Sequence, residues 1–356
     1  MADRLNLIKQ VGEEIVTEEE LKEILETGTQ LVAYDGFEPS GRIHIAQGLM
    51  RAININKMTD AGINFKMLVA DWHAWANNKM GGDLAKIQDV GKYLIEVWKA
   101  CGLDTSKVEF HWASELVKDD NYWKMVLEVA RINTVKRIIR CSQIMGRTES
   151  DSLSAAQILY PCMQAADIFY LGANICQLGL DQRKVNMLAR EIAPQMGYPK
   201  PIVVSHHMLM GLTQPNSDTA DSTQKAIDMK MSKSNPDSAI FMTDSEEDIK
   251  RKLKKAYCPE GQVEENPVLE YCKHIIFERF EQVVIDRPEK FGGKLEFNSY
   301  EELAETFQKK ELHPMDLKES VSYYINQLVE PVRNYFETNP EAKAIKDKVE
   351  SYQVTR

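Results

Sequence analysis

The chain has no cysteines spaced to grip a metal, no apolar run near membrane-spanning length, and no excess of positive charge. Each absence narrows the field. Cys101, Cys141, Cys162, Cys176, Cys258 and Cys272 never fall within four residues of one another. Zinc-type pairs are therefore missing, and free thiols in a reducing compartment are expected, with no metal site built by the protein. Met1 to Glu20 is acidic, without the apolar heart of a secretion signal or the Arg-rich character of a transit peptide. With no spanning run, the cytoplasm is the expected location and a membrane is not an expected partner. No internal repeat and no longer low-complexity tract is visible. A formal charge of −10 argues against a uniformly basic nucleic-acid binder, although a local basic surface suffices for a polyanion. Two stretches offer one: Arg131, Lys136, Arg137 and Arg140, and the crowded set Lys250, Arg251, Lys252, Lys254 and Lys255. Solvated helix faces would look the same.

What remains is an ordinary globular composition, 43% hydrophobic and 28% charged over 356 residues. That length suits one large domain and one smaller one, each with its own core. Strand-like and helix-like segments alternate to about residue 205. Gln30–Tyr34, Phe65–Asp71, Val108–Trp112, Ala173–Gln177 and Pro201–Ser205 read as strands. Ile43–Ala61, Ala155–Leu171 and Asp181–Met196 read as helices. Asp83 is placed to cap a further helix whose stripe is Ile87, Val90, Leu94, Val97, Trp98 and Cys101. Such alternation predicts an α/β fold, a Rossmann-like parallel sheet with helices on both faces. From Asp244 the pattern is helical without clear strands, over Ser245–Tyr257, Asn266–Phe280, Ser299–Lys310 and Pro314–Thr338. The division predicted is a catalytic domain over 1–243 and an all-helical carboxy-terminal domain over 244–356. The polar stretch Thr213–Asp228 reads as a mobile loop between them.

Three segments carry chemistry. In the first, a turn with Gly36, Pro39 and Gly41 runs into a helix, which brings backbone amides to an anion. His44 and Gln47, three apart, would share a face of that helix. In the second, Lys230-Met231-Ser232-Lys233-Ser234 puts two ammonium groups on a polar loop able to close on phosphates. In the third, Ile158 to Asp167, the residues Tyr160, Gln164 and Asp167 fall at i, i+4 and i+7 on one helical face among apolar neighbours. A carboxylate so placed needs a partner such as a phenol hydroxyl. Pro161 disfavours helical geometry at Tyr160, so a kink or helix start is expected there.

The first segment resembles the His-containing ATP signature of class I aminoacyl-tRNA synthetases, with Ala46 and Gln47 where the family usually has Gly and His. The second matches the family's lysine loop. With Tyr34 and the run Gly179-Leu180-Asp181-Gln182-Arg183-Lys184, the third resembles the tyrosine pocket of the archaeal/eukaryotic tyrosyl-tRNA synthetases. The resemblance implies catalysis by His44, Gln47, Lys230 and Lys233. It implies that Tyr34 and Asp167 hold the phenol of L-tyrosine, and Tyr160, Gln164 and Gln182 its ammonium. ATP would enter as its Mg2+ complex, a substrate rather than a tightly bound cofactor, against Gly36, His44, Gln47, Asp181 and Lys233. Phe291-Gly292-Gly293 and Glu311 to Lys318 are similar to the family's anticodon-reading region. Phe291, His313 and Asp316 are expected to touch tRNA(Tyr) there, as is Arg183 elsewhere. The family's homodimer is implied as well, and Asn121–Gln143 mixes apolar and basic residues in a way that suits a partner surface.

Two alternatives stay open at this point. A tryptophan-activating relative shares the fold. An RNA-binding or signalling protein that has lost catalysis would explain the altered His-x-Gly-His.

Overall fold

The computed structural model describes residues 2–146, 152–215, 222–231 and 235–352. Its main sheet contains β1 (Glu14–Val16), β2 (Val32–Phe37), β3 (Asn64–Val69), β4 (Val108–Trp112), β5 (Ile175–Cys176) and β6 (Ile202–Ser205). The order is β1-β6-β5-β2-β3-β4. All neighbours pair in parallel except β1, which runs antiparallel to β6. The sheet grows outward from β2 in one direction and from β5 in the other. Their junction is a switch point, where the carboxyl ends of parallel strands leave a crevice for ligands.

Alternation along the strands divides the core in two. Ala33, Phe65, Met67, Ile175 and Val204 face one apolar cluster, covered by the helices Arg51–Asp60 and Leu84–Ala100. Tyr34, Leu68 and Cys176 face the other, covered by Asp120–Ile132, Ala155–Tyr170 and Arg183–Met196. Asp83 caps Leu84–Ala100 as expected, accepting from the Lys86 amide at 3.2 Å. All six cysteines are buried free thiols. Among the described residues, no helix is long and apolar enough to cross a membrane.

Three expectations change. The carboxy-terminal part is mostly helical but also holds a two-stranded hairpin, β7 (Val283–Ile285) and β8 (Leu295–Phe297). Strands of three residues are too short to show a period, and this pair is held from outside: the Tyr324 hydroxyl accepts from the Val284 amide at 2.7 Å. Nor does this part keep a core to itself. One apolar cluster runs from Ile8 through Leu253, Phe307 and Phe336 to Val349. The final helix, Pro340–Glu350, docks on Leu84–Ala100, where Asp89 takes the Lys348 ammonium at 2.6 Å and the Tyr352 hydroxyl at 2.7 Å. Finally, part of the stretch expected to be a loop is the helix Ser222–Met229.

Of the crowded basic set, two members are consumed internally. Lys252 is buried against Asp244 at 2.5 Å, and Arg251 pairs with Asp237 and Asp248. Lys250, Lys254 and Lys255 stay exposed.

Candidate active site

At the switch point lies a cleft of about 930 Å³. Its walls include Tyr34, Gly36, His44, Gln47, Tyr160, Gln164, Asp167, Asp181, Gln182 and Lys230, all of them expected site residues far apart in sequence. Lys233 falls outside the described residues. A short antiparallel contact joins the first motif to the segment just after the second. The Ile45 amide donates to the Ile240 carbonyl and the Met242 amide to the Ile43 carbonyl, both at 2.8 Å, around a bridge between His44 and Phe241. Asp244 locks that contact, pairing with Arg42 at 2.9 Å and accepting from the Phe241 amide.

The first motif is not the regular helix that spacing suggests. Ala46–Met50 is a π-turn, with the Met50 amide reaching back to Ile45, and His44 stands before it in the bridge. π-turns of this kind cluster at functional sites. Gly41 has φ +109°, so the turn itself needs glycine. Gly36 is glycine for space, because a Cβ there would come within 2.7 Å of the Tyr34 hydroxyl.

The blind end of the cleft is polar and buried. Ser154 and Gln157 form a reciprocal cap on the helix Ala155–Tyr170, which presents Tyr160, Gln164 and Asp167 to the pocket. Tyr160 lies inside this helix rather than at its start; Pro161 is accommodated within it. The Asp167 side chain is fully buried and takes three contacts. His73 Nε2 stands 2.9 Å away, the Tyr122 hydroxyl donates from 2.8 Å, and the Tyr34 hydroxyl lies at 3.5 Å. A carboxylate offers about four lone-pair sites, so room remains for one more donor. Burial pushes the Tyr34 and Tyr122 phenols well above their usual range, and the Asp167 charge adds to this, so both stay protonated donors. For His73 burial works downward, but the Asp167 charge and hydrogen bond outweigh it and hold the imidazole above its ordinary value.

Nearer the mouth, Gln164 donates to Gln182 at 3.0 Å, and Gln182 donates to the Ile144 carbonyl at 3.2 Å. Glu38 accepts from Asn77 at 2.9 Å and is bonded to the Tyr160 phenol, which burial and this carboxylate push up. Lys230 pairs with Asp181 at 2.8 Å, and that charge outweighs burial to raise the ammonium. The mouth of the cleft therefore gathers the carboxylates Glu38 and Asp181, the amides Gln164 and Gln182 and the ammonium of Lys230.

Phe291, His313 and Asp316 lie in the carboxy-terminal part, and Arg287 ties their two segments together. It donates to the Gly293 and Glu311 carbonyls, each at 2.9 Å. Phe291 is 58% exposed on the hairpin loop, with the Lys290 ammonium 4.8 Å above its ring. His313 caps the helix Pro314–Thr338 through Nδ1, and Asp316 stands in its first turn. Arg183 is not in the cleft wall; it grips the Glu14 carboxylate at 2.8 and 2.9 Å. Of the apolar residues in Asn121–Gln143, Val126, Val129 and Ile138 serve the chain's own core, while Leu127 and Val135 are exposed.

His73, Tyr122 and Glu38 were missed from sequence. His73 follows the end of β3, where ligand-facing residues gather in such sheets, and that position was a usable signal. Tyr122 gave none, since a tyrosine at a core position of an amphipathic helix looks structural.

A doubly wound parallel sheet with a glycine-bearing turn at its switch point, and Lys230 and Met231 of the lysine motif in the same cleft, is the arrangement of a class I synthetase. The model of class I tRNA synthetases for tryptophan and tyrosine matches residues 26–330, and the chain belongs to that family. It is 51% identical to cytoplasmic tyrosine–tRNA ligase 1 of Arabidopsis thaliana, over 99% of this chain and 89% of the relative. It is 42% identical to the tyrosine–tRNA ligase of Thermococcus sibiricus, over 97% and 96%. The tyrosyl-tRNA synthetase of Pyrococcus horikoshii, solved with L-tyrosine, superposes with a TM-score of 0.90 at 40% identity, over 98% of this chain and 99% of that one. The Leishmania major enzyme solved with tyrosinol also gives 0.90 at 46% identity, but this chain spans only 52% of its length.

Proposed function

We propose that the protein is a tyrosine–tRNA ligase. It activates L-tyrosine with ATP to tyrosyl-adenylate, releasing pyrophosphate, and transfers the tyrosyl group to the 3′-terminal ribose of tRNA(Tyr), releasing AMP. The observation that carries this is the blind end of the cleft, where Asp167 keeps lone-pair capacity between Tyr34, Tyr122 and His73. A phenol hydroxyl entering there finds an acceptor at the depth of the ring's far end; a bare phenyl ring brings no donor to it.

The tyrosine carboxylate attacks the α-phosphorus as the bond to pyrophosphate breaks. The site's task is to place these groups in line and to meet the charge that spreads over the phosphate oxygens. Tyr160, Gln164 and Gln182 hold the ammonium, Asp181 the ribose, and Gly36, His44 and Gln47 line the phosphate path. Lys230 and Lys233 close on the leaving pyrophosphate, whose Mg2+ travels with ATP. Phe291 stacks on an unpaired anticodon base, His313 lies beside it, and Asp316 accepts from a base edge. The active form is a homodimer joined through the exposed side of Asn121–Gln143, around Leu127 and Val135, and it works in the cytoplasm. Residues 1–243 act as the catalytic unit and 244–356 as the anticodon-reading unit.

The test is ATP–pyrophosphate exchange with tyrosine, tryptophan and phenylalanine in parallel. Exchange driven by tyrosine alone is expected; exchange driven best by tryptophan, or none with any of the three, would refute the assignment.

A further inference from the structure

Behind the nucleotide side of the cleft sits a polar cluster that none of these roles uses: Asp35, Arg51, Gln177 and His206, all buried. Arg51 reaches from the helix Arg51–Asp60 in two directions. Its Nη2 meets Asp35 Oδ2 at 2.6 Å, and its Nη1 lies 3.1 Å from His206 Nδ1. A guanidinium can only donate, so Nδ1 must be the bare, accepting nitrogen. Gln177 Nε2 approaches the same nitrogen at 3.2 Å, and the Val204 carbonyl 3.5 Å away favours that orientation of the amide. An imidazole accepting at Nδ1 carries its proton on Nε2. Burial first, then the Arg51 charge, also holds this histidine well below its ordinary value.

Where Nε2 points is set by Gly179. That residue has φ −68° and ψ 157°, a conformation open to any amino acid, so space and not backbone freedom asks for glycine. A Cβ there would stand 2.7 Å from Asp181 Oδ1, 2.8 Å from Met208 Sδ and 3.4 Å from His206 Nε2. Nε2 therefore faces the same gap as Asp181, and His206 and Gly179 both line the cleft.

We propose that His206 is a further nucleotide-binding residue, its Nε2–H turned toward the cleft by Arg51 and Gln177 to donate to an oxygen of the ribose–phosphate. Arg51 is then a positioning residue, anchored in turn by Asp35 on the strand that carries Tyr34 and Gly36. The assignment rests on the tyrosine-activation reading above.

The experiment is tyrosine-dependent pyrophosphate exchange in the full chain with His206→Leu and His206→Gln. Loss of one donor, about 1–1.5 kcal/mol, is about tenfold. His206→Leu should thus raise the KM for ATP about tenfold and leave the KM for tyrosine within about twofold, and His206→Gln should recover part of the loss. A second measurement needs no variant: in protein labelled with ¹⁵N-histidine, one histidine should hold its proton on Nε2, fail to titrate between about pH 6 and 8, and shift when α,β-methylene-ATP is added. An unchanged KM for ATP, equal rises in both KM values, or no such responsive signal would overturn the role of His206 while the parent chain still exchanges. A parent chain without tyrosine-dependent exchange would sink the activation reading and this one together.

Discussion

Replacing Asp167 should erode selectivity for tyrosine before it erodes anything done to ATP. Its carboxylate already takes His73, Tyr122 and, at longer range, Tyr34. The substrate phenol completes the set with a charge-assisted bond, worth about 1.5–3 kcal/mol. Asp167→Ala removes that bond, so kcat/KM for tyrosine should fall roughly 10- to 150-fold. Phenylalanine has no hydroxyl to lose, so the tyrosine-to-phenylalanine ratio should drop by the same factor while the KM for ATP stays close to the parent's. Asp167→Asn keeps an acceptor without the charge, and a loss of about 1 kcal/mol, roughly fivefold, is expected. Exchange assays with both amino acids measure the ratio directly. An unchanged ratio in folded Asp167→Ala protein would remove this residue from the hydroxyl site.

Asp167→Asn also carries a stability signature with a definite sign. His73 is held above its ordinary value in the fold. The pair's contribution is therefore complete below about pH 6.5 and fades as pH rises through the raised value. Once Asp167 is Asn, burial acts on the imidazole without that partner and favours its neutral form, so the variant loses stability as pH falls below about 6.5. The gap between parent and variant should be wider at pH 6 than at pH 8. Breaking a buried pair costs about 3–5 kcal/mol, and the acidic side should approach that figure.

Other outcomes follow from the remaining sites. Lys233→Ala should depress adenylate formation by orders of magnitude in single-turnover assays while equilibrium binding of tyrosine stays nearly normal; equal losses would contradict a transition-state role. Asp316→Ala should leave tyrosine-dependent exchange intact and slow aminoacylation of tRNA roughly ten- to hundredfold, the scale of a base-edge contact of about 1–3 kcal/mol. His207 sits between Glu13 at 2.9 Å and Glu270 at 3.0 Å; burial would lower it, yet these two bonds bring it up to about 9. Glu270→Gln should therefore cost most stability below about pH 6.5 and little above the parent's folded value, as read by thermal melts across that range; a cost that did not vary with pH would show that the ion pair is not its source.

The legible part of this molecule is the part written as local pattern. Val108–Trp112 and Pro314–Thr338 have the same bounds in sequence and structure, because alternation and helical spacing are properties of neighbours. The i, i+4, i+7 set of Tyr160, Gln164 and Asp167 likewise needs only a helix to bring it to one face. What stayed hidden is pairing across the fold. Nothing local says that Tyr122 and His73 meet at Asp167. Nor does anything local say that the helix Pro340–Glu350 must exist to cover Leu84–Ala100. Asp35 is such a case too, a buried carboxylate on β2 whose cation, Arg51, comes from a helix later in the chain.

That buried cation bears on the least regular feature of the sequence, Ala46-Gln47 in place of the usual Gly-His. Tight packing does not fall on Ala46. It falls on Gly48, where a Cβ would come within 2.6 Å of Met242 and 3.3 Å of Cys101. The backbone at Gln47 is fixed from outside, since its carbonyl accepts from Trp98 Nε1 at 2.8 Å and that indole is itself fully buried. The motif's path is thus held by Trp98, Met242 and the bridge to Phe241, and the side chain at 47 is free to change without moving it. What changes is chemistry: an amide can still donate to a phosphate oxygen, but its charge no longer depends on pH. The imidazole assigned above to the nucleotide is His206, held neutral by burial first and then by the Arg51 guanidinium. A site that reached for the nucleotide with an uncharged amide and a neutral imidazole would lose little of its grip as pH varies around neutrality.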